Sequence, residues 1–541
     1  MASPAAFVNK VHERIPLLDW DPKYADRPER YPTAYRFPKK SSKDPMKQIL
    51  HSYFPMQAEK DTRVFGGLDA ALRGNMFQKL SPRYTEYLKP FLSVFPFIEL
   101  QAAHAMSNLI DAVDAPELHN GYVHQMIDEF RHANIQQNLA RYYMEHYVDP
   151  WGFNNNNLMN VTTPVGAIGR QFAEAFTAGD AVSGSSIFLQ VVGETAFTNV
   201  LFVANPSEAA ANGDIALPSV FLSVQSDEAR HINNGFATLA LALENPDNHR
   251  LIERDLRYAF WMLHTAVDGI MSVILEYGDE SRRPDKPAYY ELWKRWVYDD
   301  YYRTYLMPLE KYGIRIPTDL VQEIWDRLTV KDWHHKMAIE LSAMWMFNSW
   351  RFEPLNERDF EWFENKYPGW YSKYGTYWEN YRRLSVPGPG QSPPCLAGIG
   401  HVLPYTCYTC LEPVAIREEL QIAEHNGRVY TYCSDACRWV HETTLNDPVP
   451  MVRLAPPEAR MFTEIHAGQS LEEALRSSGL VRSDGQTLVA QPHLLFDDKY
   501  MWRLEHLPNI ELTSQLDELT RMSPEERARA VDEYRKGITF H

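Results

Sequence analysis

Cysteine is scarce: there are five in 541 residues, and four of them, Cys407, Cys410, Cys433 and Cys437, fall in one short stretch. That spacing excludes a disulfide framework spread over the fold. The chain has no Gly-rich dinucleotide fingerprint and no iron–sulfur set of cysteines, so neither a nicotinamide domain nor such a cluster is expected here. The opening Met1-Ala2-Ser3-Pro4 leads into no charged and then apolar signal pattern, and a cytoplasmic location is the expectation. Positive charge is also in deficit. A formal net charge of −17 argues against nucleic acid and permits a basic protein partner.

Long apolar runs without charge are missing as well. Two stretches come close, Phe91 to Ile110 and Ala181 to Asn205, and each contains a single formal charge, Glu99 and Glu194. A lone carboxylate in lipid would be costly. Buried helices whose glutamates face a metal account for both stretches, so no membrane span is expected. Hydrophobic residues make up 45%, as in an ordinary globular protein, while 14 Trp, 30 Tyr and 25 Phe suit a large core or an aromatic subunit contact.

Two pentapeptides dominate what is present: Asp128-Glu129-Phe130-Arg131-His132 and Asp227-Glu228-Ala229-Arg230-His231. On a helix, Glu and His three apart share a face. With Glu99 ahead of the first pair and Glu194 ahead of the second, four Glu and two His form the ligand inventory of a carboxylate-bridged di-metal site in a four-helix bundle. One nitrogen per metal among hard oxygens suits iron or manganese better than structural zinc. Six ligands leave coordination positions open, which dioxygen chemistry needs.

The neighbours follow by helical spacing. Asp128 and Asp227 can accept from the far nitrogen of a ligand histidine, on its own helix or the opposite one; Arg131 and Arg230 can balance the carboxylates. Thr198, four after Glu194, either points its hydroxyl at the metals or bonds its own helix carbonyl. Gln136, four after His132, faces the same site. Ile98, Ala102, Phe202, Phe221 and Val224 are placed to line an apolar chamber for a small apolar substrate.

The expected organisation is mainly α: an extended arm (1–45), a helical metal-binding domain with a ferritin-like four-helix core (46–384), a Pro/Gly linker (385–400), a cysteine module (401–450) and a C-terminal tail (451–541). The ligand helices are expected at about 82–112, straight or kinked at Pro96, 115–147, 164–204, whole or broken near Gly179, and 215–243, with Pro206 closing the third. Further helices are expected at about 250–277, 287–312 and 317–347, and no strands before residue 400. In the module, Cys407-x-x-Cys410 and Cys433-x-x-x-Cys437 flank a hairpin turn at Asn426-Gly427-Arg428. This fits one structural zinc, with reduced thiols or a redox role as alternatives.

The set Glu99, Glu129-x-x-His132, Glu194 and Glu228-x-x-His231 resembles the hydroxylase large (alpha) subunit of soluble bacterial multicomponent di-iron monooxygenases. Stretches such as Arg73-Gly74-Asn75-Met76-Phe77, Gly193-Glu194-Thr195-Ala196-Phe197-Thr198-Asn199 and Tyr298-Asp299-Asp300-Tyr301-Tyr302 look most like its propane branch. The resemblance implies two iron ions per chain that activate O2 and hydroxylate a small substrate: propane to 2-propanol foremost, then other short alkanes, acetone, phenol or tetrahydrofuran. It implies NADH-derived electrons from a separate flavin and iron–sulfur reductase, a beta subunit in an (αβ)2-type assembly, and a small coupling protein. It also makes Thr198 the family's active-site threonine, and the cysteine module resembles one attached to some phenol and propane enzymes. Gln136, where a radical-storing relative has tyrosine, counts against a radical subunit; a desaturase or a ferroxidase-like iron protein are the other rivals.

Overall fold

The computed structural model describes residues 32–37, 50–80, 82–113, 115–147, 164–272, 287–329, 357–369, 371–372, 405–410, 413–414, 421–426 and 428–447. The linker at 385–400, Cys395, the tail at 451–541 and the greater part of the arm lie outside these residues.

The described chain is mainly helical. Its helices are α1 (Leu50–Arg73), α2 (Pro82–Ala112), α3 (Pro116–His146), α4 (Pro164–Ala178), α5 (Val182–Ala211), α6 (Ala216–Ala242) and α7 (His249–Ser272). Next come α8 (Tyr289–Trp293), which runs directly into a π-helical stretch at Lys294–Leu306, then α9 (Thr318–Thr329) and α10 (Glu357–Lys366). Two small antiparallel ladders follow, β1 (Tyr405–Thr406) with β2 (Pro413–Val414) and β3 (Gln421–His425) with β4 (Arg428–Tyr432), and then α11 (Asp435–Asn446). Asn426 takes a left-handed φ of 54° at the β3–β4 turn, a conformation asparagine tolerates.

Proline opens α2, α3 and α4, where its missing N–H costs nothing and its fixed φ suits the first turn. Buried aspartates set the starts of α5 and α6. Asp180 Oδ1 accepts from the backbone N–H groups of Val182 and Ser183 at 2.9 and 3.0 Å, at the head of α5. Asp214 Oδ1 accepts from Ala216 N at 2.8 Å at the head of α6, while its Oδ2 accepts from the hydroxyls of Tyr84 in α2, at 2.6 Å, and Tyr143 in α3. One carboxylate thus ties three ligand-bearing helices together, satisfying orphan helix-terminal donors at the same time.

Helix α5 departs from expectation. It is π-helical over Val182–Gly193 and Val200–Ala204 and α-helical over Glu194–Asn199 and Asn205–Ala211. Pro206 therefore does not close it: proline sits at the start of an α-helical segment, directly after a wide turn has shifted the hydrogen-bond register. Of the apolar stretches, α5 is long and apolar enough to cross a membrane, but 83% of its apolar window is buried inside the protein.

Helix α2 packs along α3 and α4, α3 against α6, and α5 against α6 and α7. Gly169 lets α4 approach α2, since a Cβ there would stand 2.4 Å from Val94. The aromatics fill this core. Phe91, Phe95, Phe202 and Phe221 form one ring cluster, and Phe172, Phe176, Phe188 and Phe197 another. From the arm, Tyr35 donates to Asp255 Oδ2 at 2.6 Å and Arg36 N to Asn248 Oδ1 at 3.0 Å, strapping residues 32–37 onto the helices.

Candidate metal centre

Four helices each bring ligands inward: α2 carries Glu99, α3 Glu129 and His132, α5 Glu194, and α6 Glu228 and His231. All six are buried. Two overlapping triads have donor atoms within 4.8 Å of one another, Glu99–Glu129–His132 and Glu129–Glu194–His231. Glu129 belongs to both. Its two oxygens stand 3.1 Å from His132 Nδ1 and 3.3 Å from His231 Nδ1. Glu228 spans the same gap, 3.7 Å from His132 Nδ1 and 3.3 Å from His231 Nδ1. Both Glu-x-x-His glutamates therefore lie between the histidines, and Glu99 and Glu194 lie at the two ends.

The electrostatics ask for cations. Burial, then the neighbouring Glu228 and Glu99 carboxylates, push Glu129 up to about 7. Burial also lifts Glu194 far above the carboxylate range. Burial works to lower His132, but Asp227, Glu129 and Glu99 override it and hold the ring protonated well above its usual value. His231 is raised likewise by Glu129, Glu228 and Asp128 against burial. Protons thus collect where positive charge is needed. His231 Nδ1 and Glu194 Oε2 are buried with no hydrogen-bond partner. This donor set, oxygen-rich with one imidazole per triad, fits a pair of hard or borderline divalent cations.

The outer nitrogens answer the question about the aspartates. His132 Nε2 lies 3.2 Å from Asp227 Oδ2, and His231 Nε2 lies 3.2 Å from Asp128 Oδ2. Each aspartate holds the histidine of the opposite helix, so α3 and α6 are cross-linked through the ligands. Burial works to raise Asp128, and His231 overrides it, holding it at about 2. Asp227 is depressed further, by His132, Arg230 and Lys60. Arg131 reaches Asp61, Asp227 and Ser223 at 2.7, 3.1 and 2.8 Å. Arg230 reaches Asp128 at 2.7 Å and also Asp227.

Helix α1 supplies residues that sequence spacing did not reveal. Tyr53 donates to Asp128 Oδ1 at 2.6 Å, Gln57 Nε2 donates to both Asp128 and Asp227, and Lys60 pairs with Asp227. Gln125 on α3 is another. Its amide donates to Glu129 at 3.1 Å and to Glu194 at 2.6 Å. The i, i+4 relation of Gln125 to Glu129 was a readable signal.

Gln136 donates to Glu99 Oε1. Thr198 Oγ1 donates to the Glu194 carbonyl at 2.6 Å, the self-bonded alternative. Ile98, Ala102, Phe202, Phe221 and Val224 are all buried, and Phe202 stacks on Phe221 at 5.9 Å.

The four clustered cysteines also converge. Their sulfurs all lie within 4.8 Å of one another, with Cys410–Cys433 at 3.7 Å and Cys433–Cys437 at 3.6 Å. A tetrahedral ion with sulfurs at ~2.3 Å sets them ~3.8 Å apart, whereas a disulfide needs ~2.05 Å. Burial raises the Cys410 and Cys437 thiols well above their usual value. Trp261 Nε1 of α7 donates to Cys437 Sγ at 3.1 Å, and Arg327 of α9 donates to the Cys433 carbonyl at 3.2 Å.

A family model described as Methane/Phenol/Alkene Hydroxylase matches residues 20–246, which contain all six converging glutamate and histidine residues. Over 537 residues the chain is 48% identical to the propane 2-monooxygenase hydroxylase component large subunit of Rhodococcus jostii (strain RHA1), covering 98% of both chains. It is 32% identical over 507 residues to the methane monooxygenase component A alpha chain of Methylosinus trichosporium, covering 92% of both. The crystal structure of xenon-pressurized phenol hydroxylase from Pseudomonas sp. OX1 matches with a TM-score of 0.63 at 22% identity, over 91% of this chain and 98% of that one, and shares the helical fold. Identity at this level over nearly the whole length places the chain in the methane/phenol/alkene hydroxylase family, as a large subunit of a monooxygenase hydroxylase component.

Proposed function

We propose that this chain is the catalytic subunit of a multicomponent monooxygenase that hydroxylates a small apolar substrate at a di-iron centre, propane to 2-propanol foremost. The observation that carries this is the position of Glu129 and Glu228, each between the two histidines. Glu99, His132, Glu194 and His231 complete the ligand set. Two ferrous ions held there would supply the electrons that reduce O2, so that one oxygen atom enters a C–H bond and the other leaves as water. The balance is substrate, O2, NADH and a proton in, alcohol, water and NAD+ out. NADH is oxidised on a separate reductase bearing flavin and an iron–sulfur cluster; a beta subunit in an (αβ)2-type assembly and a small coupling protein complete the system.

The chain's own groups position and exclude. Gln136 holds one oxygen of Glu99. Asp128 and Asp227 keep each ligand histidine's outer nitrogen protonated and its inner one free for metal. Thr198, whose hydroxyl donates to the Glu194 carbonyl, is the proton-handling group. Ile98, Ala102, Phe202, Phe221 and Val224 form the apolar wall that favours an alkane and keeps water out. The cysteine cluster holds one structural zinc.

The test uses the purified hydroxylase with its reductase and coupling protein, propane and 18O2. One labelled oxygen per 2-propanol is the expected result. Product without label, or product only from phenol or tetrahydrofuran, would overturn the oxygenase reading or the substrate respectively. A desaturated product or simple iron uptake would favour the rivals.

A further inference from the structure

The polar residues around the two triads are unequal. At the Glu99 end, Gln136 donates to Glu99, but its own oxygen is buried with no hydrogen-bond partner. At the Glu194 end, Gln125 is fully committed. Its Nε2 donates to Glu129 Oε1 and Glu194 Oε1, while its Oε1 accepts from Gln190 Nε2 at 2.7 Å and Asn234 Nδ2 at 3.1 Å. Gln125, Gln190 and Asn234 are all buried and come from α3, α5 and α6. Asn234 is anchored in turn on the Gly121 carbonyl at 3.1 Å.

This frame fixes what the amide can do. Two N–H donors facing the Gln125 oxygen leave its NH2 only one orientation, toward the carboxylates. The NH2 occupies Glu194 Oε1, which also stands 3.8 Å from His231 Nδ1, and leaves Glu194 Oε2 buried with no hydrogen-bond partner. The backbone is shaped to allow this. A Cβ on Gly235, beside Asn234, would lie 2.5 Å from Gln190 Cβ. Glycine there lets the π-helical turn carrying Gln190 close onto α6.

We propose that Gln125 is a positioning residue that holds Glu194 to one metal-facing oxygen, and that the Gln190–Gln125–Asn234 frame makes the Glu129–Glu194–His231 position the tighter of the two metal positions. The inference rests on the di-iron reading and goes beyond it. At the other end Gln136 makes one hydrogen bond, to Glu99, where Gln125 makes four, so the metal beside Glu99 exchanges more readily.

The experiment reads iron, not turnover. Hydroxylase isolated as its native complex is loaded with 57Fe, its Mössbauer spectrum recorded, and iron release to a ferrous chelator timed. Wild type should hold two irons per chain and release them in two unequal phases. Gln125→Leu should release the slow iron about 10–100-fold faster, the usual cost of losing an outer-sphere partner. Gln125→Glu keeps the volume and the acceptor for Gln190 and Asn234 but sets a further carboxyl against Glu129 and Glu194 in place of the amide donor. It should do the same and shift one of the two Mössbauer doublets, even if Gln125→Leu fails to fold. Gly235→Ala should move the slow phase in the same direction from a distance. Wild-type release rates and spectra in both Gln125→Glu and Gly235→Ala would overturn the inference alone. A wild-type chain holding no iron pair would overturn the di-iron reading with it.

Discussion

Replacing Asp227 with asparagine isolates charge from shape at the point where the two half-sets cross. Asp227 is fully buried and accepts from Gln57, Lys60, Arg131, His132 and Arg230. Around it three cations, Lys60, Arg131 and Arg230, face three anions, Asp61, Asp128 and Asp227. Asp227→Asn leaves one cation unmatched, and whichever way the new amide turns, its NH2 meets existing donors. Removing one partner of a buried ion pair costs about 3–5 kcal/mol. Because Arg230 and Lys60 keep 25% and 14% of their side chains exposed, the lower end, about 3 kcal/mol, is expected. Asp128→Asn should cost less, about 2 kcal/mol, since two of its donors, Tyr53 and Gln57, are neutral.

The functional consequence crosses helices. Asp227 sits on the helix of His231 but orients His132, so the iron beside His132 should loosen about 10–100-fold. A double-mutant cycle on chelator-driven iron release checks this. Asp227→Asn should add nothing once His132→Ala is present and add in full to His231→Ala. The reverse pattern, or a larger stability loss from Asp128→Asn in denaturant unfolding, would refute the crossed assignment.

Glu129→Ala or His231→Ala should abolish hydroxylation and lower iron below two per chain by metal analysis; a variant keeping both would contradict the ligand set. Cys407→Ser should remove the zinc, read by the same method on apo-iron protein. Arg327→Met should speed zinc release to a chromogenic chelator, because the guanidinium beside Cys433 and Cys437 offsets the negative charge of four thiolates. Phe221→Ala, which vacates the contacts with Phe91, Phe95 and Phe202, should cost about 3–5 kcal/mol in unfolding experiments and broaden the range of alkanes accepted.

The convergence of the six residues was legible because helical period and chemistry coincide at them. Glu and His three apart must share a face, and a lone glutamate in apolar sequence must have a partner. Helix boundaries were legible at the same level wherever proline opens them, as at Pro82, Pro116 and Pro164. The partners of the aspartates were not, because α3 and α6 are distant in sequence and only docking decides which histidine each meets. Tyr53, Gln57 and Lys60 look like an ordinary polar face of α1, and Gln125 like any polar residue within a helix. Their roles arise from burial against other elements. The spacing argument also assumed one helical period throughout, and α5 breaks it. Thr198 stays in α-helical register with Glu194 and bonds its carbonyl, whereas Phe202 lies in a wide turn. The linker, Cys395 and the tail fall outside the described residues.

The wide turns of α5 make chain length itself a determinant of which side chains it presents. Each i→i+5 turn takes in one residue more than an i→i+4 turn, so Val182–Gly193 behaves as a helix with insertions already accommodated. Deleting a single residue there would be accepted by the backbone, which could relax to ordinary α-geometry without breaking. The residues beyond the deletion would then keep their register, so Glu194 would still face Glu129, while side chains within the shortened stretch would change faces. Comparing relatives by residue identity alone would miss such a change. In this helix an alignment gap within Val182–Gly193 changes which side chains of that stretch face their neighbours, and a length-preserving substitution is the milder event.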